Sequence, residues 1–357
     1  MDGKRQACNG APWALGALLL IQACGSEALS TAAPNRQDAS ATGLDAGQVD
    51  GSGEAGPPDG GPMETADGGL LDASIGDQGD GPSDGSEPPS EVTIGGDRPA
   101  VLLVPRSYDG APMPMVLSLH GYGGNGIIHD AYFGLSARVD QRGFFLVSPD
   151  GTREGILARN RFWNATDACC NFAGSSVDDV AYLVGLVDEA SSLFEIDPNR
   201  IYVVGHSNGG FMAYRLACDA ADRIAAVVSL AGATYVDDAD CAASQSVSVL
   251  QIHGSNDRVI RYEGGVIGPN AYPGAEETVA RWAARAGCAS STPDQEDMVD
   301  LDVGIPGAES DVFTYGAGCE NGIDVSLWRI NSGGHVPALV VDYADRILDF
   351  LFAHPKP

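Results

Sequence analysis

Continuous apolar runs alternate with amphipathic runs through residues 91–357. An unbroken apolar run is typical of a strand buried on both faces, whereas apolar positions three to four residues apart predict a helix. Their alternation predicts an α/β fold: one domain with a mostly parallel sheet, helices on both faces and no large lid domain. The predicted strands are 100–104, 115–119, 144–147, 201–204, 225–230, 247–252 and 325–328, and the predicted helices are 130–141, 177–194, a segment after 208, 275–287 and 340–353.

Residues 1–24 have the pattern of an export signal. Lys4 and Arg5 precede a thirteen-residue apolar stretch, Ala11 to Ala23, which is too short to span a bilayer. The following Cys24 completes the run Ile21-Gln22-Ala23-Cys24-Gly25, which resembles a bacterial lipobox and predicts a lipid on Cys24. The alternative is ordinary signal-peptidase cleavage nearby. We therefore expect an extracellular bacterial protein that is lipid-anchored to the cell envelope.

Residues 25–90 follow this signal and carry much of the negative charge. The segment has 13 acidic residues against Arg36, together with 14 Gly and 7 Pro. Because such a composition cannot bury enough apolar surface to offset backbone ordering entropy, we predict a disordered linker. The whole chain has a formal net charge of -29, which argues against a nucleic-acid partner and against attraction to anionic lipid. We expect a monomer that contacts membrane only through its lipid.

The cysteines also favour export. Of the eight, Cys8 lies in the signal and Cys24 in the lipobox, so six remain, and an even number in an oxidising compartment predicts three disulfides with 15 possible connectivities. The sequence contains no C-x2-C pair of the kind that binds metal, and we expect no metal. Proximity along the chain favours Cys218–Cys241 and Cys288–Cys319, which leaves Cys169–Cys170.

The sharpest chemical signal is Gly205-His206-Ser207-Asn208-Gly209-Gly210, which lies between a predicted strand and a predicted helix. A G-x-S-x-G sequence in that context forms a tight turn that lifts the serine hydroxyl clear of the sheet. We therefore predict Ser207 as a nucleophile. The alternative is a chance match, since the chain has 47 glycines.

A serine nucleophile needs a histidine base and an acid that orients it, in the chain order Ser, Asp or Glu, His. His335 lies in a glycine loop after a predicted strand, so it is the predicted base, ahead of His253 and His354. Asp257 directly follows the strand 247–252 and is the predicted acid. The alternative acids lie in a helix end and a polar loop, where solvated surface positions are expected: Asp222, Asp237, Asp238 and Asp240.

Two backbone N–H groups should bind the oxyanion. The amide of Asn208 follows the nucleophile, and the amide of Tyr122 lies in the glycine-rich loop 119–125 after an early strand. That loop lacks the G-x-x-x-x-G-K-[ST] sequence of a phosphate loop, and no cofactor is predicted.

Six sequence blocks in order resemble one family. LHGYGGNG, SPDG, a block from Trp163 through Cys169-Cys170 to Val180, GHSNGG, QIHGSND and GGH resemble secreted polyhydroxybutyrate depolymerases and feruloyl esterases, over about 93–353. The resemblance implies an α/β-hydrolase fold that acts on carboxylic esters. The chain departs from the family at Val336-Pro337-Ala338, where an aromatic-Pro-Gly run is common, and it shows no appended polymer-binding module.

The segment 151–176 is predicted either to form one wall of an open cleft or to pack its aromatic residues under a loop. On the first alternative, Phe162 and Trp163 bind substrate, together with His206 from the serine turn. The expected function is a serine ester hydrolase for polyhydroxybutyrate-type or hydroxycinnamoyl esters. The alternatives are an acetylxylan-type esterase, a serine peptidase or acyltransferase, and a non-catalytic surface lipoprotein.

Overall fold

A computed structural model describes residues 90–154, 159–315 and 318–356. The predicted signal, the predicted lipid site at Cys24 and the predicted linker up to residue 89 therefore lie outside the described residues. Within the described residues, no helix is long and apolar enough to cross a membrane.

The strands are β1 Glu91–Ile94, β2 Ala100–Leu103, β3 Met113–Leu119, β4 Phe145–Val147, β5 Thr152–Glu154, β6 Asn160–Phe162, β7 Ile196–His206, β8 Ala226–Leu230, β9 Ser248–Gly254, β10 Gly264–Ile267, β11 Asn270–Pro273, β12 Asp294–Gln295, β13 Ser310–Thr314 and β14 Val325–Ile330. Ten of them form one sheet in the spatial order β1-β2-β4-β3-β7-β8-β9-β14-β13-β12. The six neighbouring strands from β4 to β14 in this order run parallel, and antiparallel pairs extend the sheet on both sides.

Helices pack on both faces of this sheet. They are α1 Gly126–Phe133, α2 Val139–Arg142, α3 Asp179–Leu193, α4 Asn208–Asp219, α5 Ala275–Arg285 and α6 Tyr343–Ala353. Successive residues of a strand face opposite sides, so Val203 belongs to the core under α3, α4 and α5, whereas Val204 belongs to the core under α1, α2 and α6. The predicted doubly covered parallel sheet is therefore confirmed.

The prediction missed the short and polar strands. β1 and β12 are the edge strands of the sheet, β13 lies next to β12, and β5–β6 and β10–β11 form separate hairpins. Most of these strands expose side chains to solvent, and β13 contains the buried polar residues Ser310 and Asp311, so none has a continuous apolar run. The predicted helix 130–141 was also too long, since Gly134 ends α1 with a φ of 73°, a left-handed conformation that glycine adopts without strain.

Three disulfides join the six remaining cysteines, and they have the connectivity that chain proximity favours: Cys169–Cys170, Cys218–Cys241 and Cys288–Cys319. The last two close loops of 23 and 31 residues. Loops of that size restrict the unfolded chain and stabilise a domain by about 2–4 kcal/mol each. Such bridges are typical of a protein that works outside the reducing cytoplasm.

Candidate active site

The predicted nucleophile occupies a sharp turn between β7 and α4. Ser207 has φ 53° and ψ −119°, a conformation that a residue with a side chain rarely adopts. The flanking glycines allow it: a Cβ on Gly205 would collide with the Gly209 carbonyl, and a Cβ on Gly209 would collide with the Leu119 carbonyl. Backbone strain of this kind persists only where the surroundings hold it, and it is common at active sites.

Ser207, His335 and Asp257 form one hydrogen-bonded chain. The Ser207 hydroxyl lies 3.0 Å from His335 Nε2, and His335 Nδ1 lies 2.7 Å from Asp257 Oδ2. The three residues follow β7, β14 and β9, whose carboxyl ends meet at one edge of the sheet. The structure therefore brings together the three side chains that the sequence predicts as a triad.

Asp257 is held as an anion by its surroundings. Burial alone would raise the pKa of its carboxyl, but hydrogen bonds from His253 and His335 outweigh burial and lower that pKa below its usual range. The other oxygen, Oδ1, accepts the backbone N–H groups of Val259 and Ile260 at 2.8 and 2.9 Å. A buried carboxylate with these donors is ionised at neutral pH and fixes the orientation of the His335 ring.

His253 supports the acid turn, residues 254–260, which carries Asp257. The sequence analysis did not predict this role. Its Nε2 donates to the Ile260 carbonyl at 2.8 Å and lies 3.4 Å from Asp257 Oδ2. Gln251 donates to His253 Nδ1 at 3.0 Å and accepts the Tyr214 hydroxyl at 2.8 Å. A signal was present in the sequence, because Gln251 is a polar residue inside the strand predicted at 247–252, His253 directly follows that strand, and buried polar groups need partners.

The two predicted oxyanion donors lie in turns that neighbouring residues fix. Asn208 is fully buried at the first turn of α4, and its side-chain amide exchanges two hydrogen bonds with the Trp163 backbone, at 2.7 and 3.0 Å. His120 Nδ1 donates to the Gly121 carbonyl at 2.7 Å, and His120 Nε2 accepts the Gly151 N–H at 2.8 Å. Because a peptide unit is planar, fixing the Gly121 carbonyl also fixes the direction of the Tyr122 N–H.

The remaining predicted alternatives lie away from this site. The four alternative acids are all exposed on the surface, and His354 contacts the Phe350 carbonyl near the end of the chain. Within the described ranges, no group of three or more His, Cys, Asp or Glu side chains is arranged to hold a metal ion.

A cleft of about 430 Å³ opens at Ser207 and His335. Its walls include Ile128, Tyr132, His206 and Val336, of which Ile128 and Val336 are largely exposed. His206 therefore lies at the cleft, and its contact with substrate stays a prediction. Its Nε2 donates to the His335 carbonyl at 2.9 Å, so it also holds the loop that carries the base.

The predicted substrate contacts of Phe162 and Trp163 are wrong, because neither side chain has any solvent-exposed surface. Trp163 packs beneath the cleft and donates its indole N–H to the His120 carbonyl at 3.0 Å. Packing under a loop is therefore the role of these two rings. Phe172, from the same segment, is exposed and packs edge-on against Tyr122 at the rim, with ring centroids 5.2 Å apart.

Comparisons with known proteins agree with this geometry. A family model described as Phospholipase/Carboxylesterase matches residues 106–273. The solved acetyl xylan esterase from Aspergillus awamori aligns with a TM-score of 0.53 at 17% identity, over 74% of this chain and 98% of that chain. The chain has an α/β-hydrolase fold. At that identity, the structural likeness concerns the fold alone.

Relatives of this chain in sequence carry esterase names. NocK from Nocardia uniformis subsp. tsuyamanensis, named as an esterase, is 29% identical over 292 residues, which cover 73% of this chain and 81% of NocK. Feruloyl esterase B from Piromyces equi is 30% identical over 181 residues, which cover 48% of this chain and 31% of that enzyme. The predicted fold, the resemblance to esterases and the activity class, a carboxylic ester hydrolase, are confirmed.

Proposed function

We propose that this α/β-hydrolase cleaves carboxylic esters with Ser207 as nucleophile, His335 as general base and acid, and Asp257 as the residue that orients His335. The observation that carries the proposal is the unbroken hydrogen-bonded chain from Ser207 through His335 to Asp257, at 3.0 and 2.7 Å. Both distances are within the range for proton transfer along a hydrogen bond. The turn at Ser207 exposes the hydroxyl to a cleft that can admit the ester.

The proposed reaction has two acyl transfers. His335 removes the Ser207 proton while Ser207 Oγ attacks the ester carbonyl, and the N–H groups of Asn208 and Tyr122 stabilise the oxyanion. When the tetrahedral intermediate collapses, the bond to the alcohol oxygen breaks and His335 gives its proton to the leaving alcohol. Water then attacks the acyl-enzyme with His335 as base, and the acid leaves as Ser207 regains its proton.

The substrates that we propose are hydroxycinnamoyl esters and short polyhydroxybutyrate-type esters. Relatives named feruloyl esterases support the first class, and the resemblance of the sequence blocks supports both. Apolar residues in the cleft, Ile128, Tyr132 and Val336, suit a hydrocarbon or aromatic acyl group.

A substrate panel tests this proposal. Purified protein is assayed with p-nitrophenyl acyl esters, methyl ferulate, acetylated xylan and hydroxybutyrate oligomers. Wild type should hydrolyse one or more ester classes, Ser207→Ala should lose activity by a factor of at least about 10³, and the exposed Ser244→Ala should match wild type. Equal activity in Ser207→Ala and wild type would refute the assignment of the nucleophile. Cleavage of peptides but not esters would refute the proposed substrate class.

We further propose that the protein works outside the cell on a lipid anchor at Cys24, followed by a flexible acidic linker. Three disulfides support the extracellular location. In a bacterial host, Cys24→Ser should move the protein from the membrane fraction to the soluble fraction. Cys8→Ser, within the same predicted signal, is the matched control and should remain in membranes. Retention of Cys24→Ser in the membrane fraction would contradict the anchor.

A further inference from the structure

A second cavity of about 410 Å³ lies beside the catalytic cleft, and the proposed mechanism does not use it. Its walls come from β2, from residues that follow β4, and from the first turn of α1. Because β4 is parallel to β3 and β2 is antiparallel to β4, these segments meet at the carboxyl edge of the sheet, where Ser207 also lies. Crevices outside the carboxyl ends of parallel strands commonly bind ligands, and the volume is within the range of small-molecule sites.

Asn125 joins the second cavity to the catalytic cleft, because it lines both. Its Oδ1 accepts the Ile128 N–H at 2.9 Å, which fixes the orientation of the side-chain amide. Asn125 Nδ2 makes no hydrogen bond within the described ranges, and this atom is not buried. An amide nitrogen carries two N–H donors. A ligand at the junction of the two cavities can therefore accept a hydrogen bond from Asn125.

The ridge between the two cavities is apolar and exposed. Ile127 lines the second cavity and Ile128 lines the cleft, and their exposed fractions are 85% and 63%. Covering exposed apolar surface is favourable, because it removes that surface from water. A substrate that extends from the cleft into the second cavity gains this free energy by lying across the two side chains.

The lining of the second cavity suits an uncharged ligand. Ala100 and Leu146 supply apolar surface, which disfavours a charged ligand because it cannot replace the lost water. Arg161 Nη2 pairs with Asp150 Oδ2 at 2.7 Å, so the guanidinium charge is already balanced, and Asp130 adds a second carboxylate to the wall. A guanidinium has five N–H donors, more than one ion pair uses. Arg161 can therefore donate to a carbonyl or hydroxyl oxygen of a neutral ligand.

We propose that the second cavity binds the part of the ester substrate that extends beyond the group held at Ser207. This inference rests on the proposed ester hydrolysis. The bound part is an uncharged unit with apolar carbons and an acceptor oxygen. Two sources have this chemistry: the next unit of a hydroxybutyrate oligomer, and the sugar that carries a hydroxycinnamoyl group.

Two substrate pairs distinguish these sources. Each pair compares a short ester with an extended one: methyl 3-hydroxybutyrate with the methyl ester of the hydroxybutyrate trimer, and methyl ferulate with feruloyl arabinose. For each protein, kcat/KM of the extended ester is divided by kcat/KM of the short ester. Comparing this ratio between a variant and wild type removes the intrinsic reactivity of the two esters.

Val101→Trp and Ile127→Asp change exposed side chains that line the second cavity. Tryptophan suits a strand and fills the cavity, and aspartate suits the first turn of a helix but places a charge on the apolar ridge. For at least one pair, both variants should lower the ratio by about fivefold to tenfold, through KM rather than kcat, because binding away from the reacting bond is lost. Val266→Trp makes the matched change on β10, at an exposed residue that lines neither cavity, and should keep the wild-type ratio.

Thermal melting checks that each variant folds, and if Val101→Trp does not fold, Ile127→Asp carries the test. A lower ratio for the hydroxybutyrate pair identifies a second ester unit as the bound part, and a lower ratio for the ferulate pair identifies the sugar. An unchanged ratio for both pairs in either folded variant would overturn the inference, as would a wild type that cleaves the short esters but neither extended one. Failure of the proposed function is separately visible, since Ser207→Ala would then hydrolyse all four esters as fast as wild type.

Discussion

Acid should destabilise this hydrolase through His206. Burial, followed by the neighbouring His335, lowers the pKa of His206 from 6.5 to about 4. The unfolded chain therefore binds a proton at His206 that the folded protein does not bind between these two pH values. Stability from this group is present above pH 6.5 and is lost as the pH falls toward 4.

The magnitude follows from the shift. One pKa unit corresponds to about 1.4 kcal/mol, so the full shift corresponds to about 3 kcal/mol. At pH 4.5 the linkage equation gives roughly 2.5 kcal/mol. Because His206 is partly exposed, solvent screening reduces the expected loss to about 1–2 kcal/mol.

Urea unfolding at pH 7.0 and pH 4.5 measures this loss. His206→Gln can still donate to the His335 carbonyl but does not titrate, so its free energy of unfolding should fall by about 1–2 kcal/mol less than that of wild type. His354→Gln, which changes a histidine near the end of the chain, is the matched control and should lose as much as wild type. An equal loss in His206→Gln and wild type would refute the reasoning.

Three further predictions concern a glycine of the serine turn, a histidine of the acid turn and one disulfide. Gly209→Ala should abolish esterase activity, because its Cβ would collide with the Leu119 carbonyl; wild-type kcat in this variant would contradict the requirement for glycine. His253→Phe should lower the free energy of unfolding by about 1–3 kcal/mol, since the Ile260 carbonyl loses its buried donor. It should also lower kcat about tenfold or more, because the acid turn becomes looser. Unchanged urea unfolding and unchanged kcat would show that His253 does not support that turn. Joint replacement of Cys218 and Cys241 with serine should lower the free energy of unfolding by about 2–4 kcal/mol, measured by urea unfolding, whereas a loss under about 0.5 kcal/mol would show that the bridge does not restrict the unfolded chain.

The three residues that the structure brings together as the predicted triad have local signals. Ser207 lies between two glycines in a strand-to-helix turn, Asp257 follows the strand predicted at 247–252, and His335 follows the strand predicted at 325–328. A parallel sheet places the ends of its strands at one edge, so the topology brings these distant positions together.

The residues that sequence analysis misplaced are those whose burial could not be predicted from the sequence. Phe162 and Trp163 are large aromatic rings, and the sequence pattern is the same whether such a ring faces a cleft or the core. The start of β7 was missed for a related reason. Residues 197–200 (Asp-Pro-Asn-Arg) contain proline and polar side chains, and they form a bulge inside β7, because the register with β3 moves from Met113–Ile196 to Met115–Ile201.

Three histidines each support a different loop of the site. His120 donates to the Gly121 carbonyl in the loop 119–125, which carries the predicted oxyanion donor Tyr122. His206 donates to the carbonyl of His335, the predicted base. His253 donates to the Ile260 carbonyl in the acid turn. Each ring uses one N–H to hold a backbone carbonyl. A protonated His120 would place a second N–H against the Gly151 N–H. This loop therefore requires a neutral imidazole, and burial, which disfavours the charged ring, lowers the pKa of His120. His335 differs because its two nitrogens face Ser207 and Asp257 of the proposed triad, so its proton can move without releasing a loop.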